Sequence, residues 1–567
     1  MSENNGDIRL INLETGGNQA YIFATNKLRN VVGASELLYR AGTSYVGRAL
    51  AKATEHQIDE ESFESINSFL DEFKKPIEGD GHPDFEVVVA TSGKAILLAR
   101  SEETARKFIR EWSRIVAEEA PGVDAAAVFS EKNVEPKKGL NAFKEVLEHT
   151  NQLLICQRAN EGMPLRRFPR LPIVAECAFS CLPAVDVRME HGREVLLSAS
   201  SLAQRSVVDG KEDHLLKERI KGLFPGDGAS QFLKGLDVLE QRDLDWLAVV
   251  HADGNGLGQL FINFDDHVKK LKKRATGRNY ITYYREFSSA LDRISRETFR
   301  DAVAYLWHQD APDIIPIVVG GDDLTVVMDG YSSLEFTKRF MIEFCDRTAS
   351  DPDIQPILEC AGLPQLGMCA GISIAKPHFP FSQSYHLAES LMNNAKQVKS
   401  QYGKDSIALD FHILYDSVST SIADIRRRLM IGEEGQTRVL TAKPYVVRKG
   451  EAWGNEGAGP NEEWREVHDY DQFDKAREAI AKLPLSQACN VRDALFAYLK
   501  DTQESEWAFM LSAYKKEGFE EAWRKVKPDN GNQLYVQVGP DPENNLGNRE
   551  YTYFLDALEA LKFQKER

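Results

Sequence analysis

Apolar and polar positions along the chain predict several β-hairpins, each followed by an amphipathic helix. The clearest hairpin spans Ile314 to Asp329, IIPIVVGGDDLTVVMD, where two apolar runs flank a tight Gly-Gly-Asp-Asp turn. A buried strand is predicted upstream in Trp246 to Gly258, WLAVVHADGNGLG, whose apolar run ends at Asp253 and enters a glycine-rich turn. If these strands pair, Asp253 and Asp322 lie close enough to share a cation.

The region around this hairpin predicts the order β-α-β-β-α-β, which is the split βαβ arrangement of ferredoxin-like folds. After the strand that ends at Asp253 come a long helix, the hairpin, a second helix and a last strand: Tyr283 to Leu306, Ile314 to Asp329, Leu334 to Thr348 and Gly367 to Ala375. Because proline belongs at a strand start or on an edge, Pro316 favours a strand that begins at Ile317. A further helix, His386 to Gln401, carries Lys396.

The first part of the chain repeats this pattern. Phe85 to Ala99, FEVVVATSGKAILLA, predicts a hairpin, and Glu102 to Glu118 predicts the amphipathic helix after it. A strand and a helix precede the hairpin and a strand follows the second helix: Ile8 to Asn12, Lys27 to Arg40 and Val123 to Phe129. The earlier turn, Thr91 to Lys94, lacks carboxylates, so the first copy is predicted to bind no metal. The alternative is that any β-turn-β-helix unit resembles any other.

Composition and charge narrow the choice of function. The sequence of 567 residues contains no stretch of roughly 18 consecutive apolar residues, which a membrane-spanning helix would need. Its start, MSENNGDIRL, lacks the apolar centre of a signal peptide. We therefore expect a cytoplasmic protein with no membrane partner. The formal net charge of -17 argues against a broad grip on a nucleic-acid backbone. Lys269 to Arg278 and Met163 to Arg170 are local basic candidates, and solvated surface is the alternative for both.

The carboxylates of the later hairpin predict a metal site. Nucleotidyl transfer needs neutralised phosphates, an activated hydroxyl and in-line geometry, and two Mg²⁺ or Mn²⁺ ions can supply all three. These ions take hard oxygen ligands. Asp253 and Asp322 suit this role, and Asp323 is predicted as a second-ion ligand or an orienting group. All three are therefore candidate catalytic and metal-binding residues. The alternative is an acidic hairpin without a metal.

Nucleotide contacts are predicted around these carboxylates. The six candidate positions are Gly254, Asn255, Gly256, Gly320, Gly321 and Lys396. The first three open a turn ahead of a helix and can present backbone N–H groups to phosphate. The glycines of the hairpin let a triphosphate or a base approach without a Cβ in the way. The lysine is a candidate cation for the β- or γ-phosphate of ATP, and an exposed helix lysine is the alternative.

Together the patterns predict an α+β protein with two ferredoxin-like palm domains, a linker domain and a C-terminal helical domain. The predicted limits are an inactive first palm at 1–132, a linker with a degenerate zinc site at 133–243, a catalytic second palm at 244–412 and a mostly helical part at 413–567. The zinc candidates are Cys177 and Cys181, with His191 and Cys156 as further ligands. A closed zinc site needs four ligands, so buried or loop thiols are the alternative.

At these residues the chain resembles a known family, the large palm-domain subunit of type III CRISPR effector complexes, which makes cyclic oligoadenylate from ATP. The shared motifs are HADGNGLG, VVGGDDL, AGISIAKPHFPF, the helix with Ala395-Lys396, and YIFATNKLRNVVGASELLYRA near the start. The resemblance covers roughly residues 5 to 410. It implies metal binding at Asp253, Asp322 and Asp323.

The resemblance also implies partners and departures. In the family, target RNA bound by partner subunits that carry guide RNA activates the enzyme. Many members begin with an HD nuclease domain, but this chain starts directly at the palm, so we do not expect it to cut DNA. The family's zinc site, often four cysteines, is reduced here to Cys177 and Cys181. Asn255 stands where some palms use another carboxylate, which leaves the number of metal ions open.

Three functional hypotheses follow. The first is an ATP-using nucleotidyltransferase that makes a cyclic oligoadenylate messenger inside a type III CRISPR effector complex. The second is a stand-alone palm cyclase related in architecture to GGDEF diguanylate cyclases. The third is a non-catalytic scaffold whose palms only hold other subunits together.

Overall fold

The alternating apolar runs form sheets in the computed structural model, and the amphipathic stretches form helices against them. The structure describes residues 7–78, 84–161, 171–190, 192–209, 213–226, 228–241, 244–307, 313–415, 421–433, 436–448, 466–496, 500–526, 533–538 and 549–563. The segment 163–170 and His191 lie outside the described residues.

The strands are β1 (Arg9–Gly16), β2 (Phe85–Thr91), β3 (Lys94–Ala99), β4 (Asp124–Phe129), β5 (Ala184–Glu190), β6 (Arg193–Ser198), β7 (Leu247–Gly254), β8 (Ile314–Gly320), β9 (Asp323–Asp329), β10 (Met368–Ala375), β11 (Ile407–Ile413), β12 (Met430–Glu433), β13 (Gln436–Val439), β14 (Tyr445–Arg448), β15 (Val536–Val538) and β16 (Arg549–Tyr551).

The helices are α1 (Asn18–Ile22), α2 (Leu28–Gly42), α3 (Ser44–Thr54), α4 (Phe63–Glu72), α5 (Glu102–Glu119), α6 (Leu140–Glu161), α7 (Ala199–Asp209), α8 (Asp213–Lys221), α9 (Gly228–Gln241), α10 (Leu257–Ile262), α11 (Phe264–Leu271), α12 (Gly277–Trp307), α13 (Ser333–Ser350), α14 (Gln355–Ala361), α15 (Phe381–Ala395), α16 (Gln397–Tyr402), α17 (Ile422–Arg428), α18 (Tyr470–Ile480), α19 (Leu485–Phe496), α20 (Lys500–Ala513), α21 (Phe519–Arg524) and α22 (Phe554–Ala560). None of these described helices combines the length and the apolar character of a membrane crossing.

Two sheets repeat one topology. β1 to β4 form an antiparallel sheet in the order β2-β3-β1-β4. The second sheet has the order β14-β11-β10-β7-β9-β8, and its strands β7 to β10 follow the order of the first. In each of these four-strand sets, the third strand in chain order lies between the first and the second, as in a ferredoxin-like fold. The predicted β-α-β-β-α-β order is therefore confirmed in both palms, and we call residues of β1–β4 and β7–β10 with their helices the first and second palm.

The prediction that the hairpin strand begins at Ile317 is wrong. β8 begins at Ile314, and its register shifts between Pro316 and Val318. β8 is the outermost strand of its sheet, and both an edge and a bulge tolerate a residue that has no N–H to donate. The equivalent strand of the first palm carries a matching shift between Val87 and Val89.

The long helix α12 joins the two palms. It packs against β8 of the second palm and β2 of the first. Arg278 and Arg285 on this helix each place a guanidinium nitrogen 2.5 Å from the buried carboxylate of Glu86 on β2. A buried carboxylate is costly unless it is paired, so this contact fixes α12 on the first palm. Arg278 ends the basic segment proposed for nucleic acid, and here it serves a protein contact instead.

The helix predicted for His386 to Gln401 is two helices. α15 begins earlier, at Phe381, and ends at Ala395, and α16 starts at Gln397. α15 covers β7, β10 and β11. The break leaves Lys396 at the junction of the two helices.

The part after residue 413 contains more strand than predicted. Helices α17 to α22 lie in this part, which was predicted to be mostly helical, but β12, β13, β16 and β15 also form a four-stranded sheet, and β14 joins the second palm sheet through β11. These strands are only three or four residues long. Runs that short show no measurable alternation, which is why the sequence did not predict them. The limits at residues 132, 243 and 412 stay predictions.

Candidate active site

Three carboxylates meet at one end of the second palm sheet. Asp253 is the penultimate residue of β7, Asp322 lies in the turn after β8, and Asp323 begins β9. β7 pairs with β9 from Ala252 and Leu324 onward, so the predicted pairing of these strands is confirmed. One carboxylate oxygen from each aspartate lies within 4.8 Å of the other two. In the described part of the chain this is the one group of three or more His, Cys, Asp or Glu side chains that is placed to hold a metal ion.

The glycines beside these carboxylates are required by the close approach of the chain. A Cβ on Gly254 would lie 2.6 Å from Leu257 Cδ1 and 2.7 Å from the Asp322 Cβ, which is closer than atoms pack. Gly321 has φ 62° and starts the turn in the left-handed region that glycine adopts without strain. The turn can therefore bring Asp322 against β7 because neither position carries a side chain.

The carboxylates repel one another. Burial, and then the charge of Asp253, raise the pKa of Asp322 to about 6. Asp323 is exposed to water on one side, and protein surrounds it on its other sides. That desolvation, followed by the charges of Asp322 and Asp253, raises the pKa of Asp323 as well. Like charges held at this distance favour a bound cation.

Lys396 supplies a positive charge at the cluster. Its Nζ forms an ion pair with Oδ2 of Asp253. The preceding turn of α15 is held in place because Asn394 Nδ2 donates to Asp410 Oδ2 over 2.7 Å, and the fully buried Asp410 is also paired with Arg426. The structure thus brings Lys396 to the candidate site, from a helix break and not from a continuous helix face.

Asn255 makes protein contacts in place of the predicted phosphate contact. Its backbone N–H donates to Gly367 O over 2.8 Å, and its side-chain Nδ2 donates to Ser406 O over 2.9 Å. The side chain is buried. These donors tie the end of β7 to the starts of β10 and β11, so they are not available to a phosphate. Gly256, with φ 76°, starts α10.

A recess of about 550 Å³ opens beside the carboxylates, and both palms line it. The second palm contributes Gly320, Gly321, Asp322 and Asp323. The first palm contributes the turn Thr91 to Lys94 on the opposite wall, together with side chains of β1 and α2. The two equivalent turns therefore face one cavity, and only one of them carries carboxylates.

The helix α12 forms a third wall that the sequence analysis missed. Tyr284, Ser288 and Asp292 line the recess, and Ser295 Oγ donates to the carbonyl oxygen of Gly321. These residues recur every three or four positions and form one polar stripe on a long helix. That stripe was visible in the sequence, but nothing in the sequence showed that it faces the Gly-Gly-Asp-Asp turn.

The zinc candidates do not gather into a site among the described residues. Cys177 is buried and Cys181 is exposed with φ 52°. Burial alone would raise the pKa of the Cys177 thiol, but hydrogen bonds from Ser180, Ser201 and nearby backbone groups outweigh it and lower that pKa to about 6. Within the described ranges, neither cysteine belongs to a group of three potential metal ligands.

A comparison with protein families identifies the segment that carries this site. A family model described as "Cas10/Cmr2, second palm domain" matches residues 246–408. Residues 246–408 are therefore similar to that second palm domain. The matched segment contains all three carboxylates, Lys396 and Asp292, whereas the first palm, the linker and the part of the chain after residue 413 lie outside the match.

Whole proteins were compared with the chain by sequence and by structure. No curated protein matches the chain. A structure of a Csm1-Csm4 cassette in complex with cA3 is 11% identical, with a TM-score of 0.46, over 99% of this chain and 70% of that chain. A Csm1-Csm4 cassette in complex with AMPPNP is 12% identical, with a TM-score of 0.40, over 72% of this chain and 55% of that chain. The matched part is thus little more than half of the latter chain's length.

Proposed function

We propose that the chain is a cytoplasmic, metal-dependent nucleotidyltransferase that converts ATP into a cyclic oligoadenylate as a subunit of a type III CRISPR effector complex. One observation carries the proposal. Three crowded carboxylates stand at the edge of a nucleotide-sized recess within the segment that matches a Cas10/Cmr2 second palm domain.

The residues suit Mg²⁺ or Mn²⁺. The donors are hard carboxylate oxygens within 4.8 Å of one another, and their mutual repulsion raises the pKa of two of them. Asp253, Asp322 and Asp323 would hold the metal. When bound, such ions neutralise phosphate charge and lower the pKa of an attacking hydroxyl.

The other residues orient the nucleotide. Lys396 is paired with Asp253, and its ammonium group would be placed to bind a phosphate oxygen when Asp253 holds the metal. Gly320 and Gly321 leave the turn without side chains where the triphosphate approaches. The first palm closes the recess with a turn that lacks carboxylates, so the reaction is assigned to the second palm alone.

Partners supply the RNA in this proposal. The net charge of -17 disfavours a broad nucleic-acid grip by this chain, and Lys269, Lys270 and Arg278 of the basic segment are engaged in protein contacts. Lys269 binds Asp265 over 2.7 Å, and Lys270 donates to Cys360 O over 2.7 Å. Guide RNA and target RNA are therefore assigned to other subunits of the complex, and zinc has no part in the reaction.

The proposal is tested with the purified full chain and with the chain assembled with its effector subunits. Each is incubated with each of the four NTPs and Mg²⁺ or Mn²⁺, with and without target RNA, and the products are identified by mass spectrometry. We expect cyclic oligoadenylate from ATP only, in the assembled complex with target RNA.

The alternatives give different results in the same experiment. Product from the isolated chain without RNA would favour a stand-alone palm cyclase. No product under any condition, together with unchanged Mn²⁺ affinity in the Asp322→Ala, Asp323→Ala double variant, would leave only the scaffold hypothesis.

A further inference from the structure

We propose that Asp292 determines base specificity: its carboxylate Oδ1 accepts a hydrogen bond from the exocyclic amino group of adenine bound in the recess. The inference rests on the proposed function, because it assigns the base of the same nucleotide. Asp292 belongs to α12 and lies outside the predicted motifs.

Asp292 lies close to the turn of the second palm. A Cβ built on Gly320 would lie 3.0 Å from Asp292 Oδ1. This oxygen therefore stands directly beside the turn that carries Asp322, where a nucleotide held by the carboxylates extends into the recess. The side chain of Asp292 is 27% exposed, so a ligand can reach it.

The orientation of the carboxylate is fixed. Its Oδ2 is 3.0 Å from Arg296 Nη2, and the same Arg296 nitrogen donates to Tyr39 Oη of the first palm over 3.0 Å. In the described part of the chain, Oδ1 has no hydrogen-bond partner. One oxygen is thus held by protein and the other faces the cavity.

Asp292 is set apart from the metal site. The group of carboxylates within 4.8 Å of one another contains Asp253, Asp322 and Asp323 but not Asp292. Burial raises the pKa of Asp292, although the charges of Arg296 and Arg219 oppose this. A carboxylate that is partly desolvated in a recess and has one oxygen without a protein hydrogen bond among the described residues is a candidate ligand-binding group.

The surrounding walls suit a planar base. Leu38, Leu291 and Val318 supply apolar surface, and Phe261 and Tyr284 supply aromatic rings. A base pocket typically combines such walls with a few polar groups that set orientation. An ionised carboxylate only accepts hydrogen bonds, so it favours the amino group of adenine and disfavours the 6-oxo group of hypoxanthine. Asp292 is therefore predicted to select ATP over ITP.

The test is competition binding to the full chain, with Ca²⁺ in place of Mg²⁺ to prevent turnover. The competing nucleotides are ATP, 2′-deoxy-ATP and purine riboside triphosphate, which lacks the 6-amino group. We expect wild type to bind ATP about tenfold or more tighter than purine riboside triphosphate, as for one hydrogen bond to a charged group. In Asp292→Ala this preference disappears, because ATP weakens by about tenfold and the analogue changes by less than about twofold.

Control variants separate base recognition from damage to the recess. Arg296→Gln removes the charge that orients the carboxylate but keeps the acceptor, so it should lower the preference for ATP by less than Asp292→Ala does. If Asp292→Ala does not fold, Asp292→Asn keeps the shape with a weaker, neutral acceptor, and the preference should fall by about threefold.

Other outcomes overturn the inference. Equal weakening of ATP and purine riboside triphosphate in Asp292→Ala would mean that Asp292 acts on the ribose or on the fold, and loss of discrimination against 2′-deoxy-ATP would identify the ribose. Unchanged preference in that variant would exclude any contact with the base. If wild type binds no nucleotide at all, the proposed function itself fails, which is a distinct result.

Discussion

The two palms share a strand order and a hairpin, but their turns are packed differently. In the first palm the Gly93 N–H donates to Leu38 O over 3.0 Å, and Gly93 O accepts from Thr15 N over 2.7 Å. A Cβ on Gly93 would lie 2.3 Å from Thr15 Oγ1, whereas a Cβ on Gly321 would meet nothing within 4 Å. The first turn is thus fixed to its own domain, and the second is open to the recess.

The left-handed residue also differs in position. Ser92 and Gly93 connect β2 to β3, and the second of them has φ 67°. In the second palm the first turn residue, Gly321, takes the positive φ of 62°, so Asp322 occupies the second place with an ordinary backbone conformation. A carboxylate residue at the second place of the first turn would have to adopt the positive φ of Gly93, which glycine adopts without strain. The backbone conformation of the two turns therefore differs at the place where only the second palm carries a carboxylate.

The largest expected effect comes from removing the carboxylates of the second turn. Asp322→Ala with Asp323→Ala should lower ATP turnover by about a thousandfold or more, because the metal that neutralises the phosphates is lost. Turnover is measured in the RNA-activated complex. Glu517→Ala with Glu521→Ala removes two exposed carboxylates elsewhere and should change turnover by less than about twofold. Comparable loss in both double variants would attribute the effect to net charge.

The next effect tests whether the first turn can accept a carboxylate. Gly93→Asp should destabilise the protein by about 2–3 kcal/mol, since it combines a positive φ with overlap onto Thr15 Oγ1. Gly321→Ala should cost only about 1 kcal/mol, because its φ is unfavourable but its surroundings are open. Thermal unfolding midpoints check both.

The same Gly93→Asp variant also tests the comparison through metal binding. Mn²⁺ stoichiometry measured by electron paramagnetic resonance should stay at the wild-type value. Extra Mn²⁺ bound by a stably folded variant would show that packing does not keep the first palm free of metal.

A smaller effect is expected at Lys396. Lys396→Met should lower turnover by about tenfold, the size of one lost charge-assisted contact to phosphate. The same change should tighten Mn²⁺ binding, because the ammonium group no longer competes for Asp253. Opposite signs in the two measurements distinguish this role from loss of structure. Lys273→Met, at an exposed lysine of the same palm, should alter neither, and weaker Mn²⁺ binding in Lys396→Met would contradict the assignment.

The sequence predicted the features of the two palms that depend on local patterns of residues. Alternating apolar runs bounded by turn residues predicted both hairpins, and the positions of Asp253, Asp322 and Asp323 predicted that these carboxylates lie together. The helix break at Lys396 was missed, because no glycine or proline marks it.

Contacts between distant segments were not predictable. About four turns of α12 and the strand β8 separate Asp292 from the turn, so only the fold shows that it lies beside Gly320. Asn255 lies in a motif that resembles a phosphate-binding turn. Its backbone N–H and its side-chain Nδ2 instead donate to the carbonyl oxygens of Gly367 and Ser406, which are distant in sequence. The type of each residue was informative, and its partner was set by tertiary packing.

The smallest effect concerns pH and decides whether the second turn is an ordinary acidic turn. A carboxyl group whose pKa is raised by folding, as that of Asp322 is to about 6, destabilises the fold once it ionises. The stability of the metal-free protein should therefore fall as pH rises through about 6. At pH 8, Asp322→Asn should melt a few degrees above wild type without metal and below it with Mg²⁺, and at pH 4 the two should melt alike. An ordinary acidic turn gives no such gain. If Asp322→Asn is no more stable than wild type at pH 8 without metal, then Lys396 already neutralises the cluster, and the two turns differ less in electrostatics than their packing indicates.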